Sequence, residues 1–451
     1  MTKQYFGTDG IRGTVGQGHI TADFMLKLGW AVGKVMAKDN NAKVLIGRDT
    51  RISGLILQSA LQAGLSSAGV DTHLLGVIPT PAVAHLTYSM RASAGIVISA
   101  SHNPYYDNGV KFFDAKGMKL SEDIELAIEQ QLQQPITMAA SDHLGHVWDV
   151  VDARGRYVEF CKSTFPSQLN LYGLKIVTDC ANGATRDVAP TIFHELGADV
   201  IPIFTEADGL SINHQCGATN LSTLAKTVVE QQADLGIAFD GDGDRLIMVD
   251  QQGDVVDGDQ ILCILAKDLV TGMNSRNGVV GTLMSNLGLE QALTDSGIDF
   301  TRTEVGDRFV LAELIKRDWT LGGESSGHIV NLDYTTTGDG IITALQVLRI
   351  IQMSNQNLQQ LQKQMIKRPQ VLINVPIEKP VDLSDHPELL TIIQGHEKTL
   401  RKRGRILVRP SGTEPYVRIM VEGNEADEVK SIAEDIAQHT KQRLHSTTAN
   451  E

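Results

Sequence analysis

Three aspartates at alternate positions are the strongest candidate for chemistry in this sequence. Asp240, Asp242 and Asp244 share the glycine-rich run 240–245, which follows a short apolar segment. Three carboxylates this close repel one another unless a cation lies between them, and their oxygens suit a hard divalent ion. A calcium EF-hand would need glycine where Arg245 stands, and a solvated acidic turn is the simpler alternative. The run therefore predicts a Mg²⁺ site with coordination positions left for a phosphate oxygen.

A serine in a polar loop is the second candidate. Ser101 lies in the run Ser-Ala-Ser-His-Asn-Pro at 99–104, directly after an apolar segment, with His102 beside it and Lys111 a little further along the chain. A serine at the end of a strand, close to such groups, could be an activated nucleophile. The same run also suits a local Asn-Pro turn with flanking serines, so taken alone it does not establish catalysis.

A glycine-rich segment at 322–328 contains the pattern Gly-x-Ser-x-Gly, centred on Ser325. In a hydrolase this pattern is followed directly by a helix, whereas the apolar residues that follow it here predict a strand. A loop that recognises sugar hydroxyls is a better interpretation, with Glu324 and Ser326 as candidate contacts and His328 at its end. A plain glycine-rich turn explains the segment equally well when it is considered alone.

An arginine followed by two hydroxyl side chains and a glycine is the fourth candidate, in the run Arg-Pro-Ser-Gly-Thr-Glu-Pro at 409–415. Arginine pairs with phosphate, and the glycine allows backbone N–H groups to point at an anion, so the run could be a phosphate cradle, although a hairpin turn is the alternative. A serine nucleophile and a hard metal indicate phosphoryl transfer. A separate cradle far along the chain then implies a substrate that already carries another phosphate.

A repeated pattern along the chain predicts the elements that hold these candidates. An apolar strand, a polar loop, an amphipathic helix, a small-residue stop and a second strand recur in segments that begin at 44–46, 175–177 and 279–280. Strands that alternate with helices of this length form βαβ units, so the repeat predicts three similar mixed α/β domains. Ligands bind at the loops that follow such strands, which is where the serine and the aspartates lie.

The pattern changes after Pro369, which we expect to end the preceding helix. Alternating apolar residues at 371–375 and 416–421 predict strands, and 425–444 has the pattern of a closing amphipathic helix, so a smaller C-terminal α+β domain is expected. The predicted domains are 1–154 with the serine, 155–254 with the aspartates, 255–368 with the glycine-rich loop, and 369–451 with the phosphate cradle.

Composition narrows the class of protein. A formal net charge of -14 argues against nucleic-acid binding, which needs a basic surface. The N-terminal residues contain no apolar run of signal-peptide length, and no stretch is long and apolar enough to span a bilayer, so we expect a cytoplasmic protein. The four cysteines are scattered without Cys-x-x-Cys spacing, which predicts buried, reduced thiols.

Taken as a set, these motifs resemble those of the α-D-phosphohexomutases, from the run Phe-Gly-Thr-Asp-Gly-Ile-Arg-Gly at 6–13 to the run at 409–415. The resemblance implies three similar α/β domains and a smaller fourth around a central active-site cleft. It also implies that Ser101 is phosphorylated and binds one Mg²⁺ per subunit together with the three aspartates. Arg12, Lys111 and Arg245 match residues that assist proton transfer and charge stabilisation. The implied substrate contacts are His102, Glu324, Ser326, His328, Arg409, Ser411, Gly412, Thr413 and Arg418.

The implied reaction interconverts glucosamine 6-phosphate and glucosamine 1-phosphate through a 1,6-bisphosphate, for the synthesis of UDP-N-acetylglucosamine. Mannose and glucose phosphates are rival substrates, because the catalytic residues would be shared and only the sugar loop, where Ser325 replaces the family's common glutamine, would differ. A noncatalytic metal- or sugar-phosphate-binding protein is the alternative of another class, and a serine hydrolase using Ser325 is a more distant one. We expect small-molecule partners, no nucleic acid and no membrane, and allow for a homodimer.

Overall fold

The computed structural model describes residues 3–36, 42–271, 278–377, 381–410 and 416–445. Within these ranges, four β-sheets follow one another along the chain. Each sheet and its flanking helices form one unit, and the units are numbered first to fourth in chain order. The first three sheets mix parallel and antiparallel strands, and the fourth is smaller and antiparallel, which confirms the predicted fold class. No helix in the described part of the chain is both long and apolar enough to cross a membrane.

The first sheet carries the candidate serine at the end of its fourth strand. Its strands are β1 (Ile11–Thr14), β2 (Lys43–Arg48), β3 (Asp71–Val77), β4 (Ala94–Ile98), β5 (Asp107–Asp114) and β6 (Val147–Asp149). Their order is β1-β5-β4-β2-β3-β6, with β2 parallel to β3 and β4, and β5 antiparallel to β4. The accompanying helices are α1 (Ala22–Met36), α2 (Gly54–Ser67), α3 (Thr80–Ser89) and α4 (Glu122–Leu132). The strand predicted at 44–46 is confirmed.

The second sheet carries the aspartate run in the turn between two antiparallel strands. Its strands are β7 (Lys175–Asp179), β8 (Asp199–Ile203), β9 (Leu235–Phe239), β10 (Leu246–Asp250) and β11 (Val255–Val256), in the order β11-β10-β9-β7-β8. The run 240–245 connects β9 to β10. The accompanying helices are α5 (Ala153–Ser163), α6 (Ala189–Glu195) and α7 (Ser222–Glu230). Gly197, just beyond α6, has a φ of +105°, which fits its predicted place at a helix C-terminus.

The third sheet carries the glycine-rich loop between its last two strands. Its strands are β12 (Gly278–Thr282), β13 (Asp299–Thr303), β14 (Leu321–Gly323) and β15 (Ile329–Asn331), in the order β13-β12-β14-β15. The helices are α8 (Gly258–Thr271), α9 (Leu287–Asp295), α10 (Asp307–Arg317), α11 (Gly340–Ser354) and α12 (Leu358–Gln362). A strand follows Ser325 and the next helix begins only at Gly340, so the geometry of a hydrolase nucleophile is not formed.

The fourth sheet is antiparallel throughout and ends the described chain. Its strands are β16 (Gln370–Pro376), β17 (Gly404–Pro410) and β18 (Tyr416–Gly423), in the order β16-β18-β17, and its helices are α13 (Pro387–Leu400) and α14 (Ala426–His445). The expectation that Pro369 ends a helix was wrong, because α12 already ends at Gln362. The backbone N–H of Arg368 donates instead to Asn286 Oδ1 at 2.9 Å, which ties the segment before the proline to the third unit.

The first three units share a hydrophobic core, and the fourth unit has a core of its own. One hydrophobic core contains residues from the first three sheets, among them Val97, Phe239 and Val279. The fourth sheet packs on its own core, which includes Val417 and Val429. The four cysteines are buried and free, as the sequence predicted.

Helices α1 and α2 cross at two glycines. A Cβ atom at Gly29 would lie 2.2 Å from the carbonyl oxygen of Leu61, and one at Gly64 would lie 2.1 Å from the carbonyl oxygen of Leu26. Both distances are far below van der Waals contact, so the two backbones can meet only because these residues lack a side chain. The crossing fixes the position of α2. Helix α2 begins directly after the loop at 49–53, and this loop contacts the candidate serine.

The variant Gly64→Ala is expected to destabilise the protein by about 1–3 kcal/mol, because the added methyl group forces the two helices apart. The matched control is Gly155→Ala in α5, where nothing lies within 4 Å of the added atom. That change should stabilise the protein by about 0.5–1 kcal/mol, since alanine favours the helix. Thermal unfolding of both variants measures the two effects. Equal effects would show that the helix crossing does not depend on the missing side chain.

Candidate active site

Ser101 lies in a buried loop directly after β4, with a φ of +53°, in the left-handed region that serine rarely adopts. Its Oγ donates to Asp240 Oδ2 at 2.5 Å and lies 3.4 Å from His102 Nδ1. Such a backbone conformation costs on the order of 1–3 kcal/mol and persists only where the surroundings hold it. The fold thus brings the predicted serine against the first of the predicted aspartates, across two sheets.

The side chain of Arg51 holds the serine loop. It is fully buried, and each of its five N–H groups donates to an acceptor. The acceptors are the carbonyl oxygens of Ser101, Asn103, Pro104 and Asp107 and the carboxylate of Asp49. The bond to the carbonyl of Ser101 measures 2.9 Å. A saturated guanidinium therefore fixes the direction of four carbonyl groups, three in the loop and one at the start of β5.

Further hydrogen bonds fix Ser101 from its other side. Its N–H donates to Ser99 Oγ at 2.9 Å, and that hydroxyl donates to Asp49 Oδ2 at 2.6 Å. Asn213, from the second unit, donates through Nδ2 to the carbonyl oxygen of Ser101 at 2.8 Å. Burial raises the pKa of Asp49, and the neighbouring Arg51 guanidinium works against that rise. Both backbone polar groups of the serine are therefore held.

The three aspartates converge as the sequence predicted. Asp240, Asp242 and Asp244 are buried, and one carboxylate oxygen of each lies within 4.8 Å of the others. Burial and repulsion from Asp244 and Asp242 raise the pKa of Asp240 well above its usual range. The Oδ1 atoms of Asp242 and Asp244 are buried without a hydrogen-bond partner among the described residues. Buried carboxylate oxygens without a hydrogen bond are costly, so this arrangement fits a hard divalent cation.

Lys111 already places one positive charge among these carboxylates. Its Nζ lies 2.8 Å from Asp242 Oδ2, 2.8 Å from Asp244 Oδ2 and 3.3 Å from Asp9 Oδ2. Burial alone would lower the pKa of Lys111, but the three carboxylates raise it well above its usual range. The ammonium is therefore charged, and it contacts the aspartates rather than Ser101 Oγ.

A cavity of about 450 Å³ opens beside Ser101, and six of the predicted residues line it. Its lining includes Arg12, Ser101, Asp244, Arg245, Glu324 and His328. Arg12 donates to the carbonyl oxygen of Ala100 at 3.3 Å, and the backbone N–H of Arg245 donates to Asp240 Oδ1 at 3.2 Å. A cavity of this size can enclose a small polar ligand. Cationic, anionic and hydroxyl groups therefore face one space from three of the units.

The two histidines of the site differ in protonation at neutral pH. Burial and the nearby Arg245 lower the pKa of His102 to about 4, so its ring is neutral. His328 lies between two carboxylates, with Nδ1 3.6 Å from Asp244 Oδ1 and Nε2 3.4 Å from Asp307 Oδ2. Burial would lower the pKa of His328, but Asp244 and Asp307 raise it to about 8, so this ring is cationic.

The loop at 324–328 is docked against the strand that leaves the aspartate run. The backbone N–H of Leu246 donates to the carbonyl of Gly327 at 3.0 Å, and a Cβ atom at Gly327 would lie 2.1 Å from the carbonyl oxygen of Leu246. Glu324 Oε1 accepts from the N–H of Gly306 at 2.9 Å. Ser326 Oγ is buried without a hydrogen-bond partner among the described residues, and Ser326 is not among the residues that line the cavity.

Three charged residues beside the site were not identified from the sequence. Lys119 Nζ lies 2.6 Å from Asp9 Oδ1 and also pairs with Asp307, while Asp9 pairs with Arg12. Asp9 shares the run 6–13 with Arg12, and this proximity is the signal that could have found it. Lys119 and Asp307 come from different units, and nothing in their spacing relates them to each other.

Arg409 and Arg418 lie apart from this cavity, directly opposite each other on β17 and β18. They line a smaller cavity of about 90 Å³, together with Met284, Val305, Leu372, Leu407 and Met420. Val305 also lines the cavity beside Ser101, so the two cavities are neighbours. The other predicted members of the phosphate cradle, Ser411, Gly412 and Thr413, lie outside the described residues.

Comparison with protein families covers nearly the whole chain. The matches are phosphoglucomutase/phosphomannomutase alpha/beta/alpha domain I at 3–137, domain II at 155–253, domain III at 257–368 and the C-terminal domain at 372–439. All four domains occur in the same order in which the four sheets follow along the chain. The match thus extends over more than half of the sequence.

Curated proteins and solved structures agree with these matches. A phosphoglucosamine mutase of Coxiella burnetii (strain CbuG_Q212) is 59% identical over 98% of this chain and 99% of its own length, and one of Nitrosococcus oceani is 55% identical over 97% of each. A phosphoglucomutase/phosphomannomutase family protein of Burkholderia thailandensis has the same fold, with a TM-score of 0.80 at 24% identity over 96% of this chain and 97% of its own. The chain therefore belongs to the phosphoglucomutase/phosphomannomutase family, in which these curated relatives are phosphoglucosamine mutases.

Proposed function

We propose that the chain interconverts glucosamine 6-phosphate and glucosamine 1-phosphate through a phosphoserine at Ser101 and a 1,6-bisphosphate intermediate. The observation that carries this proposal is the contact of Ser101 Oγ with Asp240, at 2.5 Å, on the wall of a cavity that also presents cationic side chains. The nearly full-length curated relatives support the choice of sugar. The product would feed the synthesis of UDP-N-acetylglucosamine.

Two phosphoryl transfers make up the reaction. In the first, the bond between phosphorus and Ser101 Oγ breaks while the free 1- or 6-hydroxyl of the sugar phosphate forms a new bond to phosphorus, and the proton of that hydroxyl ends on Ser101 Oγ. The bisphosphate then reverses its orientation, and its other phosphoryl group returns to Ser101. Arg12, Lys111 and Arg245 offset negative charge on the transferring group and assist proton transfer at the sugar hydroxyl, a role that their position at or beneath the cavity wall supports.

A Mg²⁺ ion is the proposed cofactor, held by Asp240, Asp242, Asp244 and phosphorylated Ser101. When bound, it would neutralise charge on the phosphoryl group that is transferred. The Oδ1 atom of Asp242 supports this assignment, because it is buried without a hydrogen-bond partner among the described residues and a buried anionic oxygen needs a cation. The Oδ1 atom of Asp244 lies 3.6 Å from His328 Nδ1. Lys111 holds the opposite oxygens of the same two carboxylates and so orients them.

The sugar and its second phosphate require contacts away from the serine. We assign the sugar hydroxyls to Glu324, Ser326 and His328, with His102 near the reacting phosphate. The non-reacting phosphate is assigned to Arg409, Arg418 and the segment 411–413, because two arginines side by side on one sheet face offer several N–H donors to an anion. Such contacts orient the substrate without taking part in bond making.

Three further expectations accompany the proposal. The sugar phosphate carries charge and does not cross a bilayer unaided, and we expect the enzyme in the cytoplasm together with its substrate. A mannose or glucose phosphate would meet the same catalytic residues and is the rival substrate. A protein that binds sugar phosphate without turnover is the rival of another class, and the contact between Ser101 and Asp240 argues against it.

The active enzyme is expected to carry phosphate on Ser101, and Ser101→Ala should lose almost all turnover of glucosamine 6-phosphate, because the oxygen that stores the phosphoryl group is gone. Intact-protein mass spectrometry detects the phosphate, and a coupled assay of the product measures turnover. The matched control Ser59→Ala, at an exposed position of α2, should retain both. Full turnover by Ser101→Ala would exclude the phosphoserine route.

Removal of one negative charge from the aspartate cluster should weaken metal binding with little change in shape. We expect Asp242→Asn to lower the affinity for Mg²⁺ by at least about tenfold and to reduce turnover severely, while the melting temperature without metal changes little. Calorimetric titration with Mg²⁺ gives the affinity independently of activity. The control Asp142→Asn, whose side chain is 76% exposed, should bind as the parent does. Unchanged affinity in Asp242→Asn would remove the metal from these carboxylates.

Glucosamine 6-phosphate is expected to have the highest kcat/KM of the three hexose 6-phosphates that bear glucosamine, glucose or mannose. The reason is that the loop at 324–328 offers acidic Glu324 to the amino group that distinguishes the first of them. Parallel assays under one set of conditions decide the question. A larger kcat/KM for glucose or mannose 6-phosphate would contradict the assignment of the sugar and leave the family membership untouched.

A further inference from the structure

One face of the fourth sheet carries three cross-strand pairs between β17 and β18. The pairs are Arg405 with Glu422, Leu407 with Met420, and Arg409 with Arg418. Alternate residues of a strand share a face, so the three pairs lie in a row. The second and third pairs line the small cavity whose other wall is formed by Met284 and Val305 of the third unit. The row therefore faces the third unit.

The first pair in this row binds the loop that leads into α9. Arg405 Nε donates to Glu422 Oε1 at 2.7 Å, and its Nη1 donates to the carbonyl oxygen of Leu283 at 2.8 Å. Its Nη2 donates to the carbonyl oxygen of Ser285 at 3.1 Å. Glu422 Oε2 accepts from the backbone N–H of Leu287, the first residue of α9, at 3.1 Å. Two side chains of the fourth unit thus bind both kinds of backbone group in one loop.

The contact between the third and fourth units depends on hydrogen bonds rather than on a shared apolar core. The fourth sheet has its own core, separate from the one that joins the first three units. Between the two units, the apolar side chains next to the first pair leave a cavity of about 90 Å³ instead of filling the space. Glu422 is fully buried, so the bonds that it makes are not screened by water. The Arg405–Glu422 pair is therefore well suited to set the angle between the two units.

The distance between the first and third pairs makes that angle important. Four residues along a strand span about 13 Å at 3.3 Å per residue. A rotation of about 10° at the Arg405–Glu422 pair would displace Arg409 by about 2 Å, which is enough to break a hydrogen bond to phosphate. Arg409 and Arg418 can present their N–H groups to a ligand in the neighbouring cleft only if the first pair holds the sheet in place.

We propose that Glu422, together with Arg405, is a positioning residue for binding the non-reacting phosphate, and that it acts through Arg409. This inference rests on the proposed function, since it takes a hexose phosphate as the ligand. Glu422 itself does not touch the substrate. Replacement by glutamine keeps the size of the side chain, removes its charge and leaves one acceptor oxygen where Arg405 Nε and the N–H of Leu287 each need one.

The test is a double-mutant cycle in the Ser101→Ala background, where binding of glucosamine 6-phosphate can be measured by calorimetry without turnover. Glu422→Gln is expected to weaken binding about tenfold. Arg409→Ala should weaken it at least as much, and the double variant should lose less affinity than the product of the two separate losses, because Glu422 can then act only through Arg418. The matched control is Glu428→Gln, which breaks an ion pair with Arg403 at 3.3 Å elsewhere in the same unit and should leave binding unchanged.

Parent affinity in Glu422→Gln, or losses that multiply in the double variant, would overturn the proposal. If Glu422→Gln does not fold, Arg405→Lys provides the same cycle, because lysine keeps the charge but cannot bind both the carboxylate and the two carbonyl groups. Turnover of glucosamine 6-phosphate by the unsubstituted chain is measured separately. Absence of that turnover defeats the proposed function, whereas the binding cycle decides the positioning role by itself.

Discussion

A guanidinium that is buried away from water has to find an acceptor for each of its N–H groups. Arg51 finds four of its five in backbone carbonyl groups, three of them in the loop that carries Ser101 and one at Asp107, the first residue of β5. The fifth bond, to Asp49, supplies the counter-charge in a region where an unpaired charge would be very unfavourable. Because three of these bonds converge on one short loop, they outweigh the cost of the left-handed conformation of Ser101. That conformation directs the hydroxyl toward Asp240.

Around this serine, the negative charges of three aspartates are offset by positive charges from neighbouring units. Asp240, Asp242 and Asp244 would repel one another, and Lys111 offsets part of that repulsion from the first unit. His328 does the same from the third unit, where carboxylates on both sides raise its pKa to about 8. Each of the first three units therefore contributes a charged group whose counter-charge comes from another unit. This dependence explains why the cleft belongs to the assembled chain and to no single domain.

The features that were predictable from the sequence are local ones. An apolar segment followed at once by Ser101 or by the aspartate run indicates a strand and its loop, since the signal lies within a few residues. The role of Arg51 was not predictable, because its partners are carbonyl groups about fifty positions away and every residue type carries such a group. The role of Glu422 was not predictable for the same reason, because it accepts from the backbone N–H of Leu287. The contact that binds the segment before Pro369 was not predictable either, because the N–H of Arg368 donates to Asn286, a residue distant in sequence.

The central claim is that phosphate travels through Ser101, and a single chase experiment tests it most directly. The enzyme is labelled with ³²P on Ser101, freed of excess label and mixed with less than one equivalent of unlabelled glucosamine 6-phosphate, so that each site turns over at most once. The label should leave the protein, appear in the 1,6-bisphosphate and end on the 1-phosphate of the product, because the phosphoryl group given to the 1-hydroxyl stays there when the 6-phosphate returns to the serine. Unlabelled glucosamine 1-phosphate forming while all the label remains on the protein would contradict the account.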